Sequence, residues 1–338
     1  MAARHLLPDG RTAGVFDLVA GAVRVRLTDL GATLMRVDAP DRAGHSGNIL
    51  LGHDSPADYP AGGAPGGHAY AGALCGRFAN RIAGAGFDLD GRHVTLMAND
   101  GRHTLHGGPT GFDRAIWQVA DLTGDAITFT HHSPDGDQGF PGNLDITARY
   151  ALSPDGTLAL TLTARADAPT HLNLVAHPYF DLSAGADATI AAHSLRLAAN
   201  AFLPTDAEAI PTGERRAVAG TPFDFRAVRA IGDFDATDAQ IAIARGYNHN
   251  FILDGTGMRD VAWLSHPASG RTLTIATDRP GLQLYTGGYL GAPWHPHAGL
   301  CLEAQDWPDA PNWPDFPSTR LDPGVEWRSE TRWTMGLS

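Results

Sequence analysis

Cysteine is scarce in this chain of 338 residues, and so is positive charge. The two cysteines, Cys75 and Cys301, give no disulfide framework, so a small disulfide-stapled extracellular fold is excluded. Lys and Arg number 25 against 37 Asp and Glu, for a formal net charge of −12. A protein that neutralises phosphates needs a basic face, so nucleic acid is not an expected partner. This composition is typical of a reducing compartment, and we expect the protein to be cytoplasmic.

Long apolar runs are also missing. No window holds the run of about 18 apolar residues that a membrane helix requires, so no membrane association is expected. The segment Met1 to Thr12 carries Arg4, Asp9 and Arg11 and does not resemble a signal peptide. The chain has no Gly-rich phosphate loop between a strand and a helix and no Gly-x-Ser-x-Gly elbow. Nucleotide binding and serine hydrolysis therefore lose most of their support.

Glycine and proline are abundant, with 40 and 23 residues, and their short spacing leaves little room for long helices. Between them, apolar residues alternate with the period of a strand. Val23, Val25 and Leu27 fall on one side, with Arg24 and Arg26 on the other. This pattern predicts a strand with one face in water.

A hairpin is predicted where the same alternation occurs twice around a turn. Leu144 to Tyr150 and Leu158 to Leu162 alternate, and Ser153-Pro154-Asp155-Gly156 between them has turn chemistry. Shorter alternating segments predict further strands, and one segment predicts a short helix. The strands are marked by Ile127, Phe129, Leu273 and Ile275, and the helix spans Ala236 to Ala244.

These elements predict an all-β protein, a large antiparallel two-sheet β-sandwich with very little helix. No linker tract or internal repeat divides the chain, so we expect a single domain over residues 1–338. The segment Gly52 to Gly72 contains Tyr59, His68 and Tyr70 and is too long for a tight turn. A loop of this kind often shapes a binding site.

Metal binding has to be considered because the chain has 16 histidines. The candidate ligands come in pairs, and no pair has a convincing third or fourth partner. Structural or solvated roles are therefore favoured, and no metal is expected. The pairs are His103 with His106, His131 with His132, and His295 with His297.

Six unusual local strings remain, each polar and embedded among apolar or glycine residues. They are Gly76-Arg77-Phe78-Ala79-Asn80-Arg81-Ile82, Thr104-Leu105-His106-Gly107-Gly108, Ala176-His177-Pro178-Tyr179-Phe180, Asn248-His249-Asn250-Phe251, Gln283-Leu284-Tyr285-Thr286-Gly287-Gly288 and Cys301-Leu302-Glu303-Ala304-Gln305.

Two titratable residues in these strings have apolar neighbours. Glu303 ends a strand-like run with few charges, and desolvation there would raise its pKa towards that of a general base near neutral pH. The alternative is a Glu that forms a salt bridge or points outward. His177 is isolated among apolar residues in the same way, and the alternative for it is a satisfied core histidine.

In combination and chain order, the strings resemble the aldose 1-epimerase, or galactose mutarotase, family. The resemblance runs from the region of Tyr70 to Trp333 and includes segments outside the six strings. Those segments are Gly111-Phe112-Asp113 to Trp117, Pro280-Gly281-Leu282, Pro308-Asp309-Ala310-Pro311-Asn312, Phe316-Pro317 and Leu321-Asp322-Pro323-Gly324.

The resemblance implies a two-sheet β-sandwich with a sugar-binding cleft and an enzyme that interconverts the anomers of a free aldose. By similarity, Glu303 matches the general base, His177 the general acid, and His106 an assisting histidine. The reaction transfers no electrons or groups, so no cofactor is implied; the partner is a monosaccharide, and the protein is expected to be a monomer or homodimer. The residues implied in substrate binding are Asn80, Arg81, Tyr179, Asn248 and Gln283.

The chain departs from the family pattern in two places. Asn248 stands where the family usually has an aspartate, so one acceptor oxygen is replaced by an NH₂ donor and a charge is lost. Ala176 and Pro178 flank His177 where the family often has Asn and Ser. Both departures leave the preferred aldose open.

Two other functions on the same scaffold have to be weighed. A hexose-phosphate epimerase would need a cluster of Arg or Lys at the cleft, but the strings offer only Arg77 and Arg81. A non-catalytic sugar-binding or regulatory module would have no need of both Glu303 and His177.

Overall fold

The computed structural model describes residues 3–59, 69–232 and 237–338. Within these ranges, the first fifteen strands are β1 (Ala3–Leu6), β2 (Thr12–Ala20), β3 (Val23–Thr28), β4 (Thr33–Pro40), β5 (Ser46–Asn48), β6 (Leu50–Leu51), β7 (Leu74–Cys75), β8 (Arg81–Ile82), β9 (Gly86–Leu89), β10 (Arg92–Thr95), β11 (Thr104–Leu105), β12 (Gln118–Leu122), β13 (Ala126–Ser133), β14 (Leu144–Leu152) and β15 (Thr157–Ala166). The others are β16 (Thr170–His171), β17 (Val175–Ala176), β18 (Tyr179–Phe180), β19 (Ser194–Leu197), β20 (Ala199–Leu203), β21 (Arg216–Ala217), β22 (Arg229–Ala230), β23 (Asn248–Leu253), β24 (Arg259–Ser265), β25 (Arg271–Thr277), β26 (Gly281–Tyr285), β27 (Leu300–Gln305), β28 (Arg320–Leu321) and β29 (Trp327–Leu337).

Helix is rare in the described ranges. One α-helix, α1 (Ala239–Ala244), is present, together with short 3₁₀ helices. The 3₁₀ helices are Pro56–Asp58, Ala83–Ala85, Phe112–Arg114, Asp137–Gly139, Ile190–Ala192 and Ala310–Asn312.

Two large antiparallel sheets dominate the fold. One has nine strands in the order β12-β13-β14-β15-β29-β25-β24-β19-β22, and the other has seven in the order β21-β20-β23-β26-β27-β18-β6. Buried side chains from both sheets form one continuous apolar cluster, with Leu160 and Trp333 from the first and Phe251 and Leu302 from the second. The predicted all-β two-sheet sandwich is therefore confirmed. Strands β1 to β5 form a further sheet of their own.

The alternation of side chains explains where the strands bury their apolar faces. In β3, Val23, Val25 and Leu27 are buried, whereas Arg24 and Arg26 face Asp17 on the other side. The wet-faced strand predicted there is confirmed.

The predicted hairpin is also confirmed. β14 pairs with β15 over nine residues, from Leu144 opposite Ala166 to Leu152 opposite Leu158. The turn is closed by the Asp155 carboxylate, which accepts a hydrogen bond from the backbone N–H of Thr157. The strands predicted around Ile127, Phe129, Leu273 and Ile275 are β13 and β25.

Two sequence predictions reach residues outside the described ranges. The predicted helix Ala236 to Ala244 is observed as α1 from Ala239, capped by the Asp238 carboxylate, while Ala236 lies outside those ranges. In the predicted loop Gly52 to Gly72, residues 60–68, including His68, lie outside them as well. No helix in the described ranges is long and apolar enough to cross a membrane.

Candidate active site

The seven-stranded sheet has one apolar face and one polar face, because neighbouring residues on a strand point to opposite sides. Leu284 on β26 and Leu302 on β27 face the core. Their neighbours face the other way and form a row across three strands, with Asn250 opposite Gln283 and Gln283 opposite Glu303. The polar row is itself buried, with 2–4% of each of these residues exposed.

Glu303 is a carboxyl group in an unusual environment. Burial raises its pKa from the usual 4.5 to about 8. Its Oε2 is buried and has no hydrogen-bond partner within the described residues. Its Oε1 lies 3.6 Å from Nε2 of His177, too far for a hydrogen bond but close for an ion pair. The predicted desolvation of Glu303 is confirmed.

His177 lies between β17 and β18, and its backbone is fixed by another segment. Its N–H donates to the carbonyl of Ala73 at 3.0 Å, and its carbonyl accepts from the N–H of Gly72 at 2.9 Å. Gly72 has φ +72°, and a Cβ there would clash with the carbonyl oxygen of Leu34. Position 72 therefore requires glycine, because the backbone passes so close to Leu34. From there the Gly72 N–H holds the backbone of His177, which keeps the buried imidazole beside Glu303.

His106 is held by reciprocal backbone contacts with Asn80. The His106 N–H donates to the Asn80 carbonyl at 2.9 Å, and the Asn80 N–H donates to Nδ1 of His106 at 3.2 Å. Both residues have positive φ, +50° for His106 and +59° for Asn80. Because a backbone N–H can only donate, Nδ1 is unprotonated, and the neutral ring carries its proton on Nε2.

Three aromatic rings pack together at the site. The rings of His106 and His177 meet edge to face, with centroids 5.2 Å apart. Tyr70 covers both, with its centroid 4.5 Å from that of His106 and 6.0 Å from that of His177. The sequence placed Tyr70 in a loop of the kind that often shapes a binding site and at the start of the family resemblance, but gave it no role of its own.

Ligand atoms of His106, His177 and Glu303 lie within 4.8 Å of one another, and this is the one group of potential metal ligands found among the described residues. The histidine pairs considered from the sequence did not reveal it, because its members are far apart along the chain. The backbone contact at Nδ1 of His106 leaves a protonated Nε2 for the cleft, which donates a hydrogen bond and cannot bind a metal. The cluster therefore suits oxygen acceptors of a substrate better than a cation.

Four of the residues implied in sugar binding line one small cavity beside this cluster. They are Asn80, Arg81, Asn248 and Gln283. Gln283 Nε2 donates to Asn248 Oδ1 at 2.7 Å, and the Oε1 of Gln283 is buried without a partner among the described residues. Arg81 is paired through its Nε with Asp100 at 2.7 Å.

Asn248 is positioned by its neighbour on β23. His249 points into the core, where its Nε2 donates to Oε1 of Gln240 on α1 at 3.1 Å and its Nδ1 accepts from the N–H of Asn248 at 3.2 Å. Burial lowers the pKa of His249 to about 3, so this ring is neutral. The contact ties β23 to α1, and the alternation of the strand then turns Asn248 towards the cleft.

Tyr179 lies behind the histidine rather than at the edge of the cleft. It pairs with Cys301 across β18 and β27, is 2% exposed, and has its ring centroid 5.1 Å from that of His177. The structure thus gives it a supporting position. Its contact with a sugar stays a prediction.

A larger cavity of about 520 Å³ lies nearby and shares Tyr70 with the site. It is lined mainly by apolar side chains such as Leu7, Tyr59 and Phe112, and neither Glu303 nor Gln283 reaches it. The smaller cavity adjoins the titratable cluster, because Gln283 in its wall is paired with Glu303 across the sheet and Asn80 in its wall donates to His106. We therefore place the candidate active site there.

Comparison with known proteins gives matches over nearly the whole chain. The family model described as aldose 1-epimerase matches residues 15–334. The galactose mutarotase of Bos taurus is 38% identical over 331 residues, which cover 95% of this chain and 93% of that protein. The aldose 1-epimerase of Escherichia coli K12 is 38% identical over 342 residues, covering 97% and 96%.

Solved structures give the same result. An aldose epimerase homologue from C. elegans superposes with a TM-score of 0.88 at 28% identity, covering 96% of this chain and 99% of that one. The galactose 1-epimerase of Lactobacillus acidophilus superposes with a TM-score of 0.85 at 28% identity, covering 100% and 98%. The resemblance read from the sequence is confirmed, and this chain belongs to the aldose 1-epimerase family of isomerases.

Proposed function

We propose that this protein interconverts the α and β anomers of a free aldose, with Glu303 as general base and His177 as general acid. The family membership supports the reaction, and the 3.6 Å separation of Glu303 Oε1 and His177 Nε2 supports the pair. Ring opening needs a proton to leave the anomeric hydroxyl while another reaches the ring oxygen. Both oxygens are bonded to C1, so the base and the acid must be close neighbours.

The proposed cycle uses the same two groups twice. The Glu303 carboxylate takes the proton of the anomeric hydroxyl, and the His177 imidazolium gives its Nε2 proton to the ring oxygen, which opens the ring to the aldehyde and leaves a neutral imidazole with its proton on Nδ1. Rotation about the C1–C2 bond presents the other face of the carbonyl. Glu303 then returns its proton to the carbonyl oxygen while His177 takes one back, and the ring closes as the other anomer. No cofactor is required by this chemistry.

The raised pKa of Glu303 supports its role as base. A carboxylate that binds a proton with a pKa of about 8 is matched to proton transfer near neutral pH. The orphaned Oε2 of Glu303 and Oε1 of Gln283 are buried acceptors that sugar hydroxyls would satisfy. We therefore assign the anomeric end of the sugar to Glu303 and Gln283, with Asn248, Asn80 and Arg81 along the polyol.

His106 completes the proposed site as a donor. Its protonated Nε2 lies on the side away from the Asn80 backbone, and its ring contacts that of His177. In this position it supplies a hydrogen bond to a sugar oxygen and helps to stabilise the negative charge that develops as the ring opens.

Polarimetry tests the proposal directly. Freshly dissolved α-glucose and α-galactose should reach their equilibrium rotation faster with the wild-type protein than without it. Glu303→Gln, which has nearly the same shape but cannot accept the proton, should lower the enzyme-catalysed rate about a thousandfold. A wild-type protein that does not accelerate either sugar would overturn the proposal.

The phosphate-sugar alternative is weakened by the arginines. Arg77 is buried and its guanidinium donates to Ser133, Pro141 and Gly142, among others, while Arg81 is paired with Asp100. Arg77 is thus engaged by protein acceptors, and the Asp100 carboxylate beside Arg81 offsets the positive charge that a phosphate would need. A non-catalytic module would leave the buried Glu303 beside His177 without a purpose, so a free-sugar isomerase fits best.

The remaining expectations are part of the same proposal. The family match is continuous over residues 15–334, which supports a single domain. The acidic composition and the two free cysteines support a cytoplasmic protein that does not bind nucleic acid. We propose a monomer or homodimer, and gel filtration with light scattering will decide between them.

A further inference from the structure

The cysteine on β27 contacts the proposed general acid. Sγ of Cys301 lies 3.4 Å from Nδ1 of His177, within the distance of a hydrogen bond to sulfur. Both side chains are buried, with 0% of Cys301 and 4% of His177 exposed. Cys301 and Glu303 lie two residues apart on the same strand, so the thiol and the carboxylate face the same side of the sheet.

The contact determines which edge of the imidazole faces the cleft. With Nδ1 directed at the sulfur, Nε2 is directed at Glu303, 3.6 Å away. Among the described residues, the rings of Tyr70, His106 and Tyr179 also pack against this imidazole, and Sγ of Cys301 lies within hydrogen-bond distance of its Nδ1. The ring is therefore oriented by a partner that does not itself touch the sugar.

We propose that Cys301 is a positioning residue for this family reaction: its thiol holds the His177 imidazole at Nδ1 and so aims Nε2 at Glu303 and the bound sugar. This inference rests on the proposed roles of Glu303 and His177. A thiol suits the task because it can donate to Nδ1 of the neutral ring and accept from Nδ1–H of the protonated ring.

Burial supports the protonated thiol that this requires. It raises the pKa of Cys301 well above its usual value, and the charge of Glu303 acts in the same direction. At neutral pH the sulfur therefore carries a proton and donates it to Nδ1. In the resting enzyme, the neutral His177 ring then has its own proton on Nε2, facing the cleft. When the ring takes up a second proton at Nδ1 and becomes the general acid, the sulfur accepts the hydrogen bond instead.

A matched pair of variants tests the proposal. Cys301→Ser and Cys301→Ala have nearly the same volume and differ by one hydroxyl, so both lose the same packing and only serine keeps the polar contact. We expect kcat to fall about tenfold in Cys301→Ala, the factor for one lost hydrogen bond, and to stay within about threefold of wild type in Cys301→Ser. KM should change less than about twofold in both, because Cys301 does not contact the sugar.

The other buried thiol supplies the control. Cys75 is on β7, opposite Val175, and is equally buried. Cys75→Ala and Cys75→Ser should both keep kcat within about twofold of wild type. A second readout is the ¹⁵N NMR spectrum of histidine-labelled protein, which should show neutral His177 with its proton on Nε2 in the wild type and a mixture of tautomers in Cys301→Ala.

Several results would overturn the inference while leaving the isomerase activity in place. Equal losses in Cys301→Ser and Cys301→Ala would make the role of Cys301 one of packing alone. An unchanged kcat in Cys301→Ala would remove any role, and a wild-type spectrum with the proton on Nδ1 would contradict the hydrogen bond. A wild-type protein that lacks mutarotase activity would instead overturn the proposed function, and the NMR result would still test the contact.

Discussion

The two faces of strand β27 are equally buried, but one is apolar and the other is polar. On one face, Leu302 packs into the apolar cluster between the sheets. On the other, Glu303 and Gln305 are buried polar residues, each with an oxygen that has no partner among the described residues. Burial stabilises the first face, whereas on the second it desolvates groups that would be more stable in water. Packing of the apolar face thus holds β27 in place and offsets the free-energy cost of burying the polar face.

The largest expected effect comes from removing the charge on the polar face. Glu303→Gln should lower kcat about a thousandfold, because the base is lost, and should raise the Tm at pH 8 by roughly 2–4 °C. Between pH 4.5 and about 8 the folded protein holds a proton on Glu303 that the unfolded chain has lost, so the wild-type stability falls as pH rises through this window. Polarimetry and calorimetry measure the two changes. If Glu303→Gln had a lower Tm than the wild type at pH 8, burial of the Glu303 charge would not be destabilising.

The adjacent residue should give the opposite result. Leu302→Ala should lower the free energy of unfolding by about 2–5 kcal/mol, because it leaves a cavity in the core. At a temperature where the variant is fully folded, kcat/KM should remain within about threefold of wild type. Urea unfolding gives the stability, and Leu284→Ala on β26 is a second core variant for comparison. A loss of activity as large as that of Glu303→Gln would show that the two faces are not independent.

The pH profile measures the desolvation of the polar face. Glu303 must be ionised to act as the base, and burial places its pKa at about 8. In the free enzyme, kcat/KM should therefore rise about tenfold per unit as pH increases, and level off near pH 8. As a control, the residual kcat/KM of Glu303→Gln should not rise with pH. The rise in the wild type can then be assigned to the Glu303 carboxyl group. A profile that is already level at pH 5 would mean that Glu303 is solvated.

The smallest expected effect concerns recognition at the edge of the polar face. Asn248→Asp keeps the oxygen that accepts from Gln283 Nε2, but replaces the NH₂ donor with a second acceptor and adds a charge. We expect the ratio of kcat/KM between aldoses such as galactose and glucose to change about fivefold. Progress curves for several aldoses check this. Identical preferences in the two forms would exclude Asn248 from substrate selection.

Local patterns predicted much of this molecule. The alternation of apolar and polar residues was sufficient to predict β3 and the hairpin of β14 and β15, because each of these strands buries one face. The turn of the hairpin was predictable because it is formed by residues adjacent in the chain. The desolvation of Glu303 followed from its apolar neighbours in the same strand. These features depend on residues close together in the chain.

The geometry of the site could not be predicted in the same way. His106, His177 and Glu303 come together only through the pairing of distant segments, and the single-sequence pattern contains no measure of their separation. The cover that Tyr70 places over the histidines and the contact between Cys301 and His177 have the same origin. The family resemblance named the proposed residues, but not the atoms through which they meet.

A close approach between two backbone segments at Gly107 excludes any other residue there. Gly107 follows His106 and has φ +90°, and a Cβ there would clash with the carbonyl oxygen of Gly76. The two segments that carry His106 and Asn80 therefore meet where no side chain can be added. A substitution at Gly107 would keep every reactive side chain, but the clash would displace His106 from its hydrogen bonds with Asn80. A residue that takes no part in the chemistry is therefore as sterically constrained as the groups that do.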